Sequence, residues 1–390
     1  MKLAYVVPRY GAQVIGGAEY GARMLAERLV SMAGWEVEAL TTCALDAGTW
    51  ADELPAGSTV EAGVQVHRFP VTGTRHPSFD RLSPAVLRDP ERAAGDAERR
   101  WIDRQGPVSP GLLDAIRSTD ADLVAFYPYL YHPTVAGVPL AAGRAVMHPA
   151  AHDEAPLRLP LFRDVFAGVD GFVFQTDGER ELVASRFPVA HRREIVLGLG
   201  VEPADGDIAA ASAALGLWGR PYLVCIGRVD DGKGVRTLTR FFAAYKARHP
   251  GPLALVLVGP VVDRPDPHPD IVVTGPVDED VKWGALRGSL ALVNPSGYEA
   301  FSLVLIEAWS AGVPVLVNER CAATNEHVVR SGGGFAFDSY ARFEVVVDRL
   351  TRDAPLRAGL AAAGEAYVAE RYLWPAVIDR YTTFLEGVRR

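Results

Sequence analysis

The chain has 390 residues, 49% of them hydrophobic and 23% charged, with a formal net charge of −8. That length implies roughly two or three domains with room for a sizeable core, and the acidic balance excludes nucleic acid as the main partner. Three well-separated cysteines, Cys43, Cys225 and Cys321, exclude a disulfide framework and a cysteine metal cluster. No apolar run approaches ~20 residues and the apolar start at residues 3–7 is too short for a signal peptide, so the cytoplasm is the expected compartment, with peripheral membrane contact left open.

Residues 2–7 read as a first strand, stopped by Pro8. A loop holding Gly11, Gly16 and Gly17 leads into a helix whose apolar positions Ala18, Ala22, Leu25 and Leu29 are spaced by 4, 3 and 4. Strand, glycine-rich loop and helix together bring backbone close to a phosphate or sugar, although a glycine pair alone mostly marks a turn. Further strands are expected at 35–42 and 64–70. Between Arg75 and Arg104 seven Arg and six Asp or Glu surround only two aromatics, Phe79 and Trp101. A solvated helical insertion is the expectation there, with acceptor or membrane contact the lesser reading.

Short apolar strands at 123–127, 145–148, 171–175 and 195–201 alternate with helical segments, which predicts a parallel, doubly wound sheet. Asp120 and Asp122 precede a strand and read as a turn, so no metal is assigned. Between Met147 and Glu154 two histidines and two carboxylates follow a strand end, where α/β sheets place ligands. His152 is preferred to His148. Pro203, Gly206, Gly219 and Pro221 mark a linker over 203–220.

The second half opens with a strand at 222–226, then Gly227-Arg228-Val229-Asp230-Asp231-Gly232-Lys233-Gly234 and a helix with apolar Val235, Leu238, Phe241, Phe242 and Tyr245. Arg228 and Lys233 flank a turn at a strand end, from which a planar fork and a point charge suit a diphosphate. The bland alternative pairs them with Asp230 and Asp231. Strands are expected at 253–258, 271–274, 290–293 and 314–317. Asn294-Pro295-Ser296 ends one of them, and residues 301–311 have helical character, closed by Gly312 and Pro314. The first-turn amides of that helix, around Phe301, Ser302 and Leu303, form an anion site. Glu299 precedes the helix, while Glu307 interrupts an apolar run inside it, where a charge is seldom buried without a partner. Two carboxylates beside an anion site suit neutral sugar hydroxyls as ligands.

Taken in order, Glu299 and Glu307 with seven residues between them, the preceding Asn294-Pro295-Ser296 and the following Ala311-Gly312-Val313-Pro314 resemble the signature of retaining GT-B glycosyltransferases of family 4 (group 1). The resemblance implies an α/β fold of two doubly wound, Rossmann-like domains facing across a cleft: 1–202 on the acceptor side, 203–220 as linker, 221–372 for the nucleotide sugar, and 373–390 as a helix returning to the first domain. It implies that Gly16 and Gly17 face donor phosphate or acceptor, and that His152 lies beside the anomeric centre of the donor. Arg228 and Lys233 would hold the diphosphate, Glu307 the ribose and Glu299 the transferred sugar, and the 273–277 edge with Val277 would cradle the base. The substrate would be a UDP- or GDP-linked sugar, the acceptor a glycan, a lipid-linked or a small molecule, with no cofactor and no metal. The family commonly has Glu-Gly-Phe-Gly where this chain has Glu299-Ala300-Phe301-Ser302, and an alanine forced to positive φ at 300 would cost on the order of 1 kcal/mol. A sugar-nucleotide epimerase or hydrolase, or an inactive sugar-nucleotide-binding protein, would share these features. A dinucleotide oxidoreductase would need Gly-x-Gly-x-x-Gly after the first strand, which is absent.

Overall fold

Strands buried on both faces need unbroken apolar runs, and the first half of the chain supplies them. The computed structural model describes residues 1–14 and 16–389. Here β1 (Lys2–Val6), β2 (Glu36–Thr42), β3 (Gly57–Glu61), β4 (Val64–Phe69), β5 (Leu123–Phe126), β6 (Ala145–Met147), β7 (Gly171–Phe174) and β8 (Arg193–Val196) form one sheet, ordered β3-β4-β2-β1-β5-β6-β7-β8. Every neighbouring pair is parallel except β3 with β4. β3 escapes the sequence reading because Gly57-Ser58-Thr59-Val60-Glu61 is an exposed edge strand with no buried stripe to announce it. It is joined to β4 through Ala62 and Gly63, both at positive φ (47° and 85°), as a two-residue type I′ turn requires.

The second half builds β9 (Tyr222–Ile226), β10 (Ala254–Val258), β11 (Ile271–Gly275), β12 (Ala291–Asn294), β13 (Val315–Asn318) and β14 (Gly334–Phe337) into a parallel sheet ordered β11-β10-β9-β12-β13-β14. Strand order reverses between β1 and β5 in one sheet and between β9 and β12 in the other. Loops leaving the strands at such a switch point open a crevice where α/β sheets place ligands.

The chain divides into Met1–Leu199 with Val377–Arg390, and Gly200–Ala376. The stretch 203–220, expected as a linker, instead carries a helix, Ile208–Ala214, capped by Asp207 Oδ1 on the N–H groups of Ala209 (2.8 Å) and Ala210 (3.0 Å). The alanines are helix formers, and the surrounding Gly and Pro only punctuate. This helix packs on Glu279–Arg287, where a Cβ at Gly284 would sit 2.5 Å from the Asp207 carbonyl. The polar stretch after β4 also differs from expectation. Its helices Phe79–Val86, Asp96–Gln105 and Pro110–Ser118 bury Phe79, Trp101, Ile102, Leu112 and Ile116 in the first core, so only their outer faces are solvated. The last strand of the first sheet stops at Val196 rather than 201.

Asp120 and Asp122 both serve Lys2: Asp120 takes the ammonium, and Asp122 Oδ2 accepts the backbone N–H at 2.9 Å. No described helix is long and apolar enough to cross a membrane. The C-terminal helix Trp374–Arg389 places Tyr381 in the first core, its hydroxyl 2.8 Å from that of Tyr5 and 2.7 Å from His148 Nε2.

Burial pushes His148 down to about 3, and burial with nearby Arg330 does the same to His327 in the second unit. Unfolded histidines take up protons near pH 6.5, whereas these do so only near 3, so the unfolded chain binds more protons in between and stability falls as pH drops through that window. The expected outcome is a Tm that declines below pH 6.5. Replacing His148 with Phe should flatten that decline by about 1.4 kcal/mol per pH unit, the slope of one proton, in urea titrations between pH 6 and 4.

Candidate functional site

The loops leaving β9 and β12 flank the switch point of the second sheet, and one glycine lets them meet. Gly234 has φ 75°, and a Cβ there would lie 2.4 Å from the Pro295 carbonyl. Neither the backbone conformation nor the contact tolerates a side chain. Lys233, one residue earlier, therefore reaches across to Glu299, with Nζ to Oε1 at 2.8 Å. Asp230 organises the turn from within: it is buried, its Oδ1 accepts the Lys233 N–H at 2.7 Å, and its Oδ2 takes the Arg228 Nε. Arg228 thus has the Asp230 partner that the bland alternative foresaw, yet its side chain stays 58% exposed. The Lys233 ammonium goes to neither Asp230 nor Asp231; Asp231 pairs with Arg236 at 2.9 Å.

After Glu299 the helix begins at Leu303, two residues later than the sequence suggests, and runs to Ser310. Its first amides have no acceptor within the helix. The left-handed residue is Ser302 (φ 71°, ψ 71°), whereas Ala300 is not at positive φ. The strain expected at 300 is therefore two residues further on, at the second glycine of the family pattern. Asn294 Nδ2 donates to the Ser302 hydroxyl at 2.8 Å and steadies it.

Glu307 is nearly buried, and its partner is Lys282, Nζ to Oε1 at 3.1 Å. Lys282 also meets Glu279 at 2.7 Å. Burial pushes the Glu307 pKa up while Lys282 pulls it down. Burial disfavours the Lys282 charge too, but the two glutamates outweigh that and raise its pKa. Val277 is half-buried just beyond β11, the edge strand of this sheet.

In the first unit Gly16 lies over a buried ion pair, Arg9 with Glu19, whose Nε–Oε1 distance is 2.9 Å. A Cβ at Gly16 would fall 2.2 Å from Glu19 Oε2 and 3.0 Å from Arg9 Nη2, while one at Gly17 would meet nothing within 4 Å. His152 is 37% exposed, 3.5 Å from Glu154, which also accepts the Tyr129 hydroxyl at 2.8 Å. Asp153 is taken by Arg158 and Arg186, both at 2.9 Å. Beneath this loop the buried Glu179 accepts the N–H groups of Ala151 (2.8 Å) and Gln175 (2.6 Å). Burial drives its pKa up to about 8 against those backbone donors. His148, fully buried and kept neutral, supports the core and does not open onto the loop.

The sequence reading missed Lys282, the Arg9–Glu19 pair and Glu179. Glu307 within an apolar run did signal a partner, but the distance of 25 residues to Lys282 left that partner unnamed. Among the described residues no cluster of three His, Cys, Asp or Glu could hold a metal ion.

Residues 220–353, all in the second unit, match the family model of the glycosyl transferases group 1. A D-inositol 3-phosphate glycosyltransferase of Acidothermus cellulolyticus is 28% identical over 55% of this chain and 53% of that relative, so the chain spans about half its length. A GDP-mannose-dependent alpha-(1-6)-phosphatidylinositol monomannoside mannosyltransferase of Mycobacterium tuberculosis is 28% identical over 63% of this chain and 70% of the relative. The Anabaena protein Alr3699/HepE, solved in complex with UDP and glucose, superposes with a TM-score of 0.69 at 15% identity, covering 99% of this chain and 100% of that one. At such identity the likeness is one of fold, and the fold is GT-B. Replacing Lys282 with Met should leave the Glu307 carboxylate buried and unpaired, lowering stability at pH 7 by roughly 3 kcal/mol. In urea titrations the deficit should shrink at pH 5, as Glu307 takes up a proton.

Proposed function

We propose that the chain is a retaining, metal-independent glycosyltransferase that moves a sugar from a nucleotide-diphosphate sugar to a hydroxyl of a carbohydrate or lipid-linked acceptor. The observation that carries this reading is the Lys233–Glu299 pair set at the β9/β12 switch point, beside the exposed Arg228 and the start of the Leu303–Ser310 helix. A relative named for GDP-mannose and a neighbour solved with UDP support a UDP- or GDP-linked donor. The three cysteines are free and buried, which suits a reducing, cytoplasmic compartment.

The leaving diphosphate gains negative charge as the bond from the anomeric carbon to its phosphate oxygen breaks. Arg228, Lys233 and the amides near Phe301, Ser302 and Leu303 offer fixed donors for that charge without a metal. Lys233 is held by Glu299 in the meantime, so the ammonium is already aimed when phosphate arrives. Glu299 is then free to accept hydroxyls of the transferred sugar. Glu307, fixed by Lys282, keeps a second oxygen for the ribose. His152 keeps the role that the resemblance implies, at the transferred sugar. The acceptor oxygen bonds to the anomeric carbon on the face that the diphosphate leaves, and the departing phosphate oxygen takes the acceptor proton.

A thermal-shift panel of UDP, GDP, ADP and their sugars, followed by turnover with the best donor, tests the reading. Lys233→Ala should lower kcat roughly 100-fold, the scale of one lost donor to a developing oxyanion. Glu307→Ala should chiefly weaken nucleotide binding, and turnover should survive EDTA. Absence of any nucleotide-dependent shift would remove the enzyme reading. Donor consumption that needs no acceptor would turn it into a hydrolase.

A further inference from the structure

A cavity of about 290 Å³ lies wholly within the first unit, between the segment 71–76 and the helix Asp96–Gln105. It has nothing to do with the nucleotide cradle in residue content. Trp50, fully buried, contributes its aromatic surface; Arg75, Arg100, Arg104 and His76 line the walls, and Asp103 is the single carboxylate among the lining residues. The arginines are held by neutral groups. Arg75 Nη2 donates to Gln105 Oε1 (3.0 Å), Arg100 Nε to the Asp96 carbonyl (3.1 Å), and Arg104 Nη1 to the Ser78 hydroxyl (2.6 Å). Among the described residues, none of the three is ion-paired with a carboxylate.

Two further observations point at a ligand. Arg75 lies with its guanidinium 4.7 Å from the Phe79 ring centroid and 6.0 Å from that of Trp50, and its buried Nε has no hydrogen-bond partner. A buried guanidinium donor without an acceptor is costly unless something else supplies one. Of the nearby acids, Glu98 accepts the N–H groups of Gly95 and Leu161, Asp103 keeps its charge at the cavity wall 3.8 Å from a His132 that burial holds neutral, and Asp46 and Asp80 act on Arg75 only through space. In a chain of net charge −8, three arginines against one carboxylate around a single cavity are a local reversal of sign. One guanidinium fork suffices for a carboxylate. Three cations with donors to spare match a dianion with three free oxygens.

We propose that this cavity binds the phosphate group of a phosphate ester. Only the further step, that the ester is the acceptor of sugar transfer, rests on the transferase reading above. The test is calorimetric titration of the full chain at fixed ionic strength with glycerol 3-phosphate, and with glycerol as the neutral control. Sedimentation with phosphatidylcholine vesicles, with or without phosphatidic acid, runs beside it. The ester should bind and glycerol should not, with Arg104→Gln and the exposed-site variant Arg100→Gln each weakening the ester at least fivefold. Lys233→Ala should leave ester binding intact while weakening UDP or GDP. Binding to phosphatidic acid vesicles alone, lost in the same arginine variants, would identify a lipid headgroup as the source of the phosphate. No binding in either format, unchanged affinity in both arginine variants, or a loss that follows Lys233→Ala instead would overturn the proposal. Ester binding that persists without any nucleotide binding would discard the transferase reading and leave the phosphate site standing.

Discussion

The candidate site depends on a contact that has no side chain in it, the approach of Gly234 to the Pro295 carbonyl. Two loops that start on neighbouring strands can bring their side chains together only if their backbones first come within van der Waals range. A Cβ at 234 would stand 2.4 Å from that oxygen, so any other residue pushes the loops apart. The ammonium of Lys233 then loses its reach to Glu299. Asn318 Nδ2 donates to the same Pro295 carbonyl at 3.0 Å from the end of β13, so a third strand holds the contact from the other side. The chemistry of two charged groups is thus set by the shape of a backbone.

The charged groups of both units follow one economy. Glu307 is held against Lys282, Glu19 against Arg9, and Asp230 against Arg228, so each of these three carboxylates brings its own cation. Pairing is worth little as net stability, because desolvation offsets the attraction. Its effect is orientation: a carboxylate with one oxygen committed presents the other in a fixed direction. That suits recognition of neutral hydroxyls, which need an acceptor at a defined place. Glu179 does the same work for backbone, holding the amides of Ala151 and Gln175 so that the loop carrying His152 leaves β6 along one path.

What could be read in the sequence was whatever is local. The strands β1, β5, β9, β10 and β12 are apolar runs ended by Pro, Gly or Asn, and the helix Val235–Arg248 buries four of the five apolar positions named for it, with Phe241 packed at the rim of the core. Arg228, Lys233, Glu299 and Glu307 stood out because their spacing is fixed along the chain. Partners across long gaps did not: Lys282 with Glu307, Tyr381 with His148, and Arg68 with the Tyr10 carbonyl at 2.9 Å are contacts of tertiary structure with no periodicity to betray them. β3 was hidden for the opposite reason, since an exposed edge strand has no pattern to show. The segment 203–220 misled because Gly and Pro mark the ends of a helix as readily as they mark a linker.

Ser302 shows how a local rule and a site can disagree to a purpose. A left-handed conformation costs a non-glycine residue roughly 1 kcal/mol, and serine has no special tolerance for it. Glycine there would relieve the strain but remove the hydroxyl that Asn294 binds at 2.8 Å, and Asn294 is also the residue whose Oδ1 accepts the Ser296 N–H at 3.0 Å. One amide side chain therefore ties the end of β12 to the start of the helix at residue 303. The left-handed turn at Ser302 stands between that strand and the first helical amides. The strain and the hydrogen bond act on the same few degrees of backbone, so the serine makes the N-terminal end of the helix stiffer than a glycine would.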